Sequence, residues 1–456
     1  MHAYVQFIHE VQHVQHAIPE DLFKKNPVQF LYEDDTWIFY VYIPTDTSSL
    51  ESIKKVAGEL RKKTDIQGMT SLDISFDFFN QMKSMTSDQS IVAFFEGWYL
   101  ASYCFNTYKS TKKDRTILLH YPSNYAKHSK MAKMTADAVC LARDLCNEPA
   151  NRLTPMLYAE RIVEVFKDTG VDVRILDNDE LIAEGFHATY EVGKGSAHKP
   201  MVALLEYNNG SQNKMALVGK GVTFDSGGIN SKTGQDIAEM KMDMGGSAAV
   251  IGAMKLIGAL QLDVTLHAII PLVENRPSSQ SYLPSDVITY ANGTTVEVGN
   301  TDAEGRLILA DGILYAEKIG AEWIADIATL TGSIGHALGL KRAGIYSNKL
   351  NTLDYYEQIS EATGDFVWPM PIIDDYKDLL ESDTCDIRNI ASSPYGGSIT
   401  AALFLQAFVK KTTKWYHIDM ANVVNPYKAT GYYTSGASGF GVRLLAELIK
   451  REGICK

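Results

Sequence analysis

Seven charged residues that could act together lie in three short, glycine-rich segments of the second half of this 456-residue chain. LVGKGVTFDSGGINSK (217–232) carries Lys220, Asp225 and Lys232. MKMDMGGSAAV (240–250) carries Asp243 ahead of two glycines, and VGNTDAEGRLILADG (298–312) carries Asp302, Glu304 and Arg306. On extended backbone, residues two apart point the same way, so Asp302, Glu304 and Arg306 would share a side before a helix begins near Leu307. Two carboxylates and a guanidinium on one side are costly unless something binds there. The acidic start of a helix, favoured by its dipole, explains this segment equally well. Together, Asp225, Asp243, Asp302 and Glu304 supply four negative charges, which two divalent cations would neutralise. Oxygen-rich ligation suits magnesium, manganese or zinc, with manganese or zinc the choice for hydrolysis. Lys220 has two readings: an ordinary ion pair, or a metal ligand as the neutral amine, which requires a sharply lowered pKa. Gly227-Gly228 and Gly245-Gly246 could bring backbone close to a ligand through positive φ, or be plain turn residues.

Other chemistries are set aside. Gly219-Lys220-Gly221 suggests a phosphate loop, but G-x-x-x-x-G-K-[ST] is absent and Phe224 breaks G-x-G-x-x-G. HEVQH (9–13) matches the zinc pattern H-E-x-x-H. It lies about two hundred positions before the carboxylates, and His16 stands where the extended pattern has glycine, so it is read as a coincidence.

These charges need elements to hold them. From about residue 150, apolar strand-like runs (MVALLEY, KMALVGKGV, VTLHAIIPL, EWIADIATL) alternate with helical ones (GSAAVIGAMKLIGAL, GRLILADGILYAEKIG). That alternation predicts an α/β domain with a mostly parallel sheet flanked by helices, in which function gathers at the carboxyl ends of strands. Residues 1–125 read as a smaller N-terminal α/β domain. A connecting helix is predicted over 126–150, with Met131, Met134, Ala138, Leu141 and Leu145 as its apolar stripe and Pro149 closing it, and 151–456 as the catalytic domain.

NTDAEGRL (300–307) resembles the signature of the leucyl aminopeptidase family, also called cytosol aminopeptidases. VGKGVTFDSGG (218–228), MDMGG (242–246), DIATLTG (326–332) and GFGVRLL (439–445) are similar to the same family, in the same order. NEPANRLTP (147–155) and EGWYLASYCFNTYK (96–109) resemble it more loosely, and residues 1 to about 90 are not covered. The resemblance implies a two-metal exopeptidase that releases N-terminal residues, leucine and other apolar ones favoured, and assembles as a homohexamer. It implies one metal held by Lys220, Asp225, Asp243 and Glu304, and a second by Asp225, Asp302 and Glu304. Lys232 and Arg306 match the two catalytic cations, with bicarbonate held at Arg306. Met240 and Thr329 match positions lining the pocket for the first side chain, and Leu330 and Gly332 match backbone positions that hold the peptide beyond the cut. INSKTGQDIAEM (229–240) departs from the usual context, which bears on substrate preference more than on metal binding.

Composition agrees with a soluble enzyme of the cytoplasm. The chain is 45% hydrophobic and 21% charged, near the globular average, and long enough for more than one domain. The net charge of -12 opposes bulk affinity for nucleic acid or anionic membrane. Some members of the resembled family bind DNA as accessory factors, but the basic runs KSTKKDR (109–115) and KKTTK (410–414) are short and read as solvated surface. Five cysteines without a CxxC suit free thiols in a reducing compartment. The N-terminus lacks the pattern of a signal peptide. AAVIGAMKLIGAL (248–260) is too short to span a membrane and reads as a buried helix.

Overall fold

The computed structural model describes residues 1–9, 18–47, 49–112, 116–211, 213–234, 237–349 and 351–453. Of HEVQH only His9 falls among them; residues 10–13 lie outside the described residues, as do 235–236 and Cys455. The chain divides into two units. One comprises Met1–Cys140 and Lys428–Gly436, the other Leu141–Tyr427 and Ala437–Lys456. The division therefore falls within the connecting helix and not at 125, and a short late segment joins the first unit.

The first unit holds β1 (His2–Ile8), α1 (Glu20–Lys25), β2 (Val28–Glu33), β3 (Thr36–Tyr42), α2 (Leu50–Ile66), β4 (Ser71–Ile74), α3 (Ser87–Ala101) and β5 (Leu118–His120). Its five strands run in the order β2-β3-β1-β4-β5, parallel except for the β2–β3 hairpin. Asp34 and Asp35 turn that hairpin with φ of 45° and 61°, the left-handed backbone that a two-residue turn requires. A core of phenylalanines in edge-on and tilted contact, among them Phe76, Phe79, Phe94 and Phe95, underlies the sheet. The late segment belongs here because it packs on α2: the Tyr432 hydroxyl donates to the buried Glu51 carboxylate at 3.0 Å.

Helix α4 (Ala126–Asn147) occupies the predicted connector. Of its predicted stripe, Ala138 and Leu145 are buried and Met131 is not. Met131 is 41% exposed, while Ala132, Ala136 and Val139 are sealed. Small side chains let a helix approach its neighbours closely, so alanines took the face that the larger methionines were expected to fill.

The second unit continues with α5 (Pro155–Phe166), β6 (Val171–Leu176), α6 (Leu181–Glu184), α7 (His187–Gly193), β7 (Met201–Asn208), β8 (Lys214–Gly219), β9 (Gly221–Asp225), α8 (Gly245–Leu260) and β10 (Thr265–Asn275). It goes on through β11 (Val287–Thr289), β12 (Thr295–Glu297), α9 (Glu304–Lys318), β13 (Trp323–Ala328), α10 (Gly332–Leu338), β14 (Ala343–Ser347) and α11 (Leu353–Thr363). It ends with β15 (Val367–Pro369), β16 (Ile387–Arg388), α12 (Gly397–Gln406), β17 (Lys414–Asp419) and α13 (Val442–Gly453). The large sheet has the order β15-β14-β17-β13-β8-β10-β7-β6, with β9 also paired to β10. Its centre, β17-β13-β8-β10, is parallel; β6 and β7 on one side, and the β14–β17 pairing on the other, bring antiparallel neighbours. The fold is thus α/β with a mixed sheet. The central strands are buried along nearly their whole length, which explains their unbroken apolar runs.

Helices α8 and α9 cover opposite faces of this centre. A Cβ on Gly312 of α9 would meet Val218, and one on Gly219 of β8 would meet Ser247 and Val250 of α8. Adjacent strand residues 218 and 219 point to opposite faces. The stretch Ile237–Leu260 is apolar and long enough to cross a membrane, but 78% of its most apolar window is buried. It is the central core helix with the turn before it.

One buried acid in this core yields a stability test. Asp311 of α9 is 1% exposed, and its Oδ2 accepts from the Thr189 amide (2.7 Å) and hydroxyl (2.9 Å). Burial pushes its carboxyl up to about 8, against the pull of those hydrogen bonds. In the unfolded chain an aspartate titrates near ~3.9. The folded state therefore loses stability through this group as pH rises from about 4 to about 8. Asp311→Asn keeps an acceptor for Thr189 and removes the titration. Urea unfolding should show the variant gaining on the native chain with rising pH across that window, by at most ~1.4 kcal/mol per pH unit. A difference independent of pH would contradict the assignment.

Candidate active site

The three charged segments converge at the carboxyl ends of the parallel strands. Lys220 sits between β8 and β9, and Asp225 ends β9 beside Asn275, which ends β10. Asp243 precedes α8, Thr329 and Leu330 follow β13, and Asp302 precedes α9. All eleven residues singled out in the sequence line one cavity of about 400 Å³: Lys220, Asp225, Lys232, Met240, Asp243, Asp302, Glu304, Arg306, Thr329, Leu330 and Gly332.

The local backbone of the third segment differs from the expectation. Helix α9 begins at Glu304, three residues before Leu307, so Glu304 and Arg306 lie in its first turn and not on an extended run. They reach the same cavity because Gly305 between them fits tightly over Lys220; a Cβ there would lie 2.6 Å from Lys220 Cε. The two glycine pairs also part ways. Gly227 and Gly228 have φ of 88° and 65° in the turn after Asp225. Gly245 and Gly246 are helical and open α8; a Cβ on Gly246 would lie 2.0 Å from the Ile327 carbonyl oxygen, so this glycine serves close helix–strand packing.

Lys220, 3% exposed, donates to Asp243 Oδ1 (2.8 Å) and to the Thr329 carbonyl (2.8 Å), and pairs with Glu304 Oε1 (3.0 Å). Burial alone would lower its pKa; Asp243, Glu304 and Asp225 more than reverse this and hold it above the ordinary lysine value. These contacts are those of the ion-pair reading of Lys220. Lys232 pairs with Asp225 Oδ2 (2.7 Å) and Asp302 Oδ1 (2.5 Å). Its burial is likewise outweighed, by Asp225 and Glu304. The Thr329 hydroxyl donates to Asp243 Oδ1 at 2.9 Å. Arg306 is buried, and its Nη1 donates to the Asn389 carbonyl at 2.8 Å while Nε has no partner. Burial lowers it to about 10, so it remains a guanidinium at neutral pH.

Residues the sequence did not single out hold this array. Asn275 Nδ2 donates to Asp225 Oδ1 (2.8 Å) and to the Thr301 carbonyl (2.9 Å). Asn230 and Thr301 brace the Lys232 loop against the Asp302 turn: the Asn230 amide donates to Thr301 Oγ1, and the Thr301 amide to Asn230 Oδ1, each at 2.9 Å. Asp419, fully buried at the end of β17, accepts from the amides of Leu330 and Thr331 and from the Thr331 hydroxyl, which fixes the loop after β13. Asn275 and Asp419 are polar residues closing apolar strands, so the strand-end rule that found Asp225 would have found them. Ala421, Val424, Asn425 and Glu239 also line the cavity, and nothing in their local sequence marks them.

The donor set fits divalent cations. Ligand oxygens of Asp225, Asp302 and Glu304 lie within 4.8 Å of one another. Asp243 Oδ2 and Glu304 Oε2 are buried with no hydrogen-bond partner. A buried carboxylate oxygen without a donor is costly, and a cation satisfies it.

Known proteins resemble this chain along most of its length. Residues 140–446 match the model of the cytosol aminopeptidase family, catalytic domain. A probable cytosol aminopeptidase of Rickettsia felis is 41% identical over 383 residues, which is 81% of this chain and 77% of that protein. The cytosol aminopeptidase of Rickettsia prowazekii is 39% identical over 389 residues, 83% of this chain and 78% of that protein. Among solved structures, the bottromycin maturation enzyme BotP superposes with a TM-score of 0.88 at 28% identity over 99% of both chains, and it is also known in complex with manganese. The chain is an α/β peptidase. It belongs to the cytosol aminopeptidase family.

Asn275 supplies a test of the array. Asn275→Ala removes the donor that orients Asp225, and outer-shell partners of this kind are worth about 10–100-fold in metal affinity. Calorimetric titration with manganese should show a loss of that order. Native affinity in the folded variant would mean that Asp225 needs no such support.

Proposed function

We propose that this chain is a two-metal aminopeptidase that releases the N-terminal residue of peptides, leucine and other apolar residues favoured. The observation that carries the reading is the pair of ammonium–carboxylate clusters, the buried one of Lys220 with Asp243 and Glu304 and the half-buried one of Lys232 with Asp225 and Asp302, opening into a single cavity. Lys220, Asp225, Asp243 and Glu304 would hold one zinc or manganese ion, and Asp225, Asp302 and Glu304 the other. Bound there, the ions would supply Lewis acidity and an activated water at neutral pH. Lys220 would join that set as the neutral amine.

The chain's own groups do the rest. Asp243 faces the free amine of the substrate, which selects N-termini. The Lys232 ammonium stabilises the negative charge that develops on the carbonyl oxygen. Arg306 cannot serve as a base while it stays a guanidinium; its unpartnered Nε supports a role in holding an anion, bicarbonate in the family pattern. Met240 and Thr329 flank the first side chain, and the backbone of Leu330 and Gly332, steadied by Asp419, holds the peptide beyond the cut. Family membership supports a homohexamer acting in the cytoplasm.

Hydrolysis of Leu-p-nitroanilide, with metal analysis of the purified protein, tests the reading. Up to two ions per chain are expected, and chelation should remove activity that manganese or zinc restores; full turnover without metal would end the proposal. Asp302→Ala and Glu304→Ala should each abolish metal-dependent turnover. Lys232→Ala should act mainly on kcat, by about 2.7–4 kcal/mol if it resembles loss of an oxyanion donor. A pure KM effect would reduce Lys232 to a binding residue.

A further inference from the structure

Glu239 lines the same cavity, immediately before Met240 on the short 3-10 turn Ile237–Met242. Its Oε2 accepts a hydrogen bond from Asn425 Nδ2 at 3.0 Å, and Asn425 directly follows Val424, another lining residue. The two chain segments therefore offer the cavity matching pairs. Met240 and Val424 give it apolar wall, and Glu239 and Asn425 give it a polar lock at the solvent edge, where Glu239 is exposed. Among the described residues no lysine or arginine pairs with Glu239. Its carboxylate is an uncompensated negative charge at the open end of an otherwise apolar wall.

Resting on the aminopeptidase reading, we propose that Glu239 is a specificity-determining residue that admits peptides beginning with lysine or arginine alongside apolar ones. Such side chains combine a methylene stem with a terminal cation and lie along apolar surface with the charge kept in water. Here the stem would run along Met240 and Val424, and the cation would reach Glu239. The Asn425 hydrogen bond holds the carboxylate ready, so less side-chain freedom is lost on pairing. The pair is solvent-exposed, so its effect is modest and weakens with salt. An acidic first residue would be repelled at the same place.

Lysyl-, norleucyl- and glutamyl-p-nitroanilide separate charge from length. The expected result is a lysine-to-norleucine ratio of kcat/KM about threefold lower in Glu239→Gln than in the native chain, and about tenfold lower in Glu239→Lys, with the glutamate-to-norleucine ratio raised in the latter. The native preference should also shrink as salt is added. A lysine-to-norleucine ratio that is the same in all three proteins overturns the proposal. A native chain that cleaves none of the three anilides overturns the aminopeptidase reading itself, and this inference with it.

Discussion

Lys220 Nζ lies in a place that water does not reach. It is tolerated there because three acceptors meet it within 3.0 Å: Asp243, Glu304 and the Thr329 carbonyl. These come from separate stretches of chain, before α8, at the start of α9 and after β13. Taking away one partner of a buried ion pair strands the other charge, at a typical cost of about 3–5 kcal/mol. The cluster thus constrains the relative positions of two strand ends and two helix starts. Gly305 shows how tight that constraint is, since even a methyl group would displace the lysine stem.

The rest of the second unit can be understood as what delivers those pieces. The parallel centre β17-β13-β8-β10 ends its strands on one side, so carboxylates placed at the ends become neighbours without being neighbours in sequence. Gly246 lets α8 press against the Ile327 carbonyl, which brings Asp243 to the end of β13. On the other side of the cavity the Lys232 loop has no regular structure, and it is the reciprocal Asn230–Thr301 bonds that set its course. Behind the loop after β13, Asp419 lies in line with His417, itself paired with Asp326 at 2.5 Å and raised in pKa, its burial outweighed by Asp326 and Asp419. Asp419's bonds to the amides of Leu330 and Thr331 keep the backbone after β13 from relaxing.

Legibility in the sequence followed how local each cause was. Asp225, Asp243, Asp302 and Glu304 stand out because a charge at the end of an apolar run is unusual on its own terms. The α/β alternation was legible for the same reason, since fully buried strands must read as continuous apolar stretches. Where the cause lay elsewhere in the chain, the reading failed. The start of α9 was placed at Leu307 because Asp-Ala-Glu-Gly-Arg suits an extended run as well as a first turn; packing over Lys220 decides for the turn. The predicted stripe of α4 holds at Ala138 and Leu145, while Met131 is exposed and Ala132 and Ala136 are buried in its place. The segment 428–436 has no pattern of its own, and only its contacts with α2 assign it to the first unit.

The same contrast divides the cavity. The charged half rests on bonds that leave little room for substitution, because each carboxylate already answers to a lysine, an amide or a hydroxyl. The wall opposite is made by Met240, Val424, Ala421, Glu239 and Asn425, whose side chains carry few bonds that the rest of the site requires. Residues here can change without disturbing the buried charges, as the departures in INSKTGQDIAEM already suggest. The hydrogen bond from Asn425 to Glu239 joins the two wall segments, and it lies at the edge where the first side chain would enter. On the proposed reading, the chemistry is tied to the strand ends, while the choice of substrate would be left to a few residues whose energetic obligations to the fold are small.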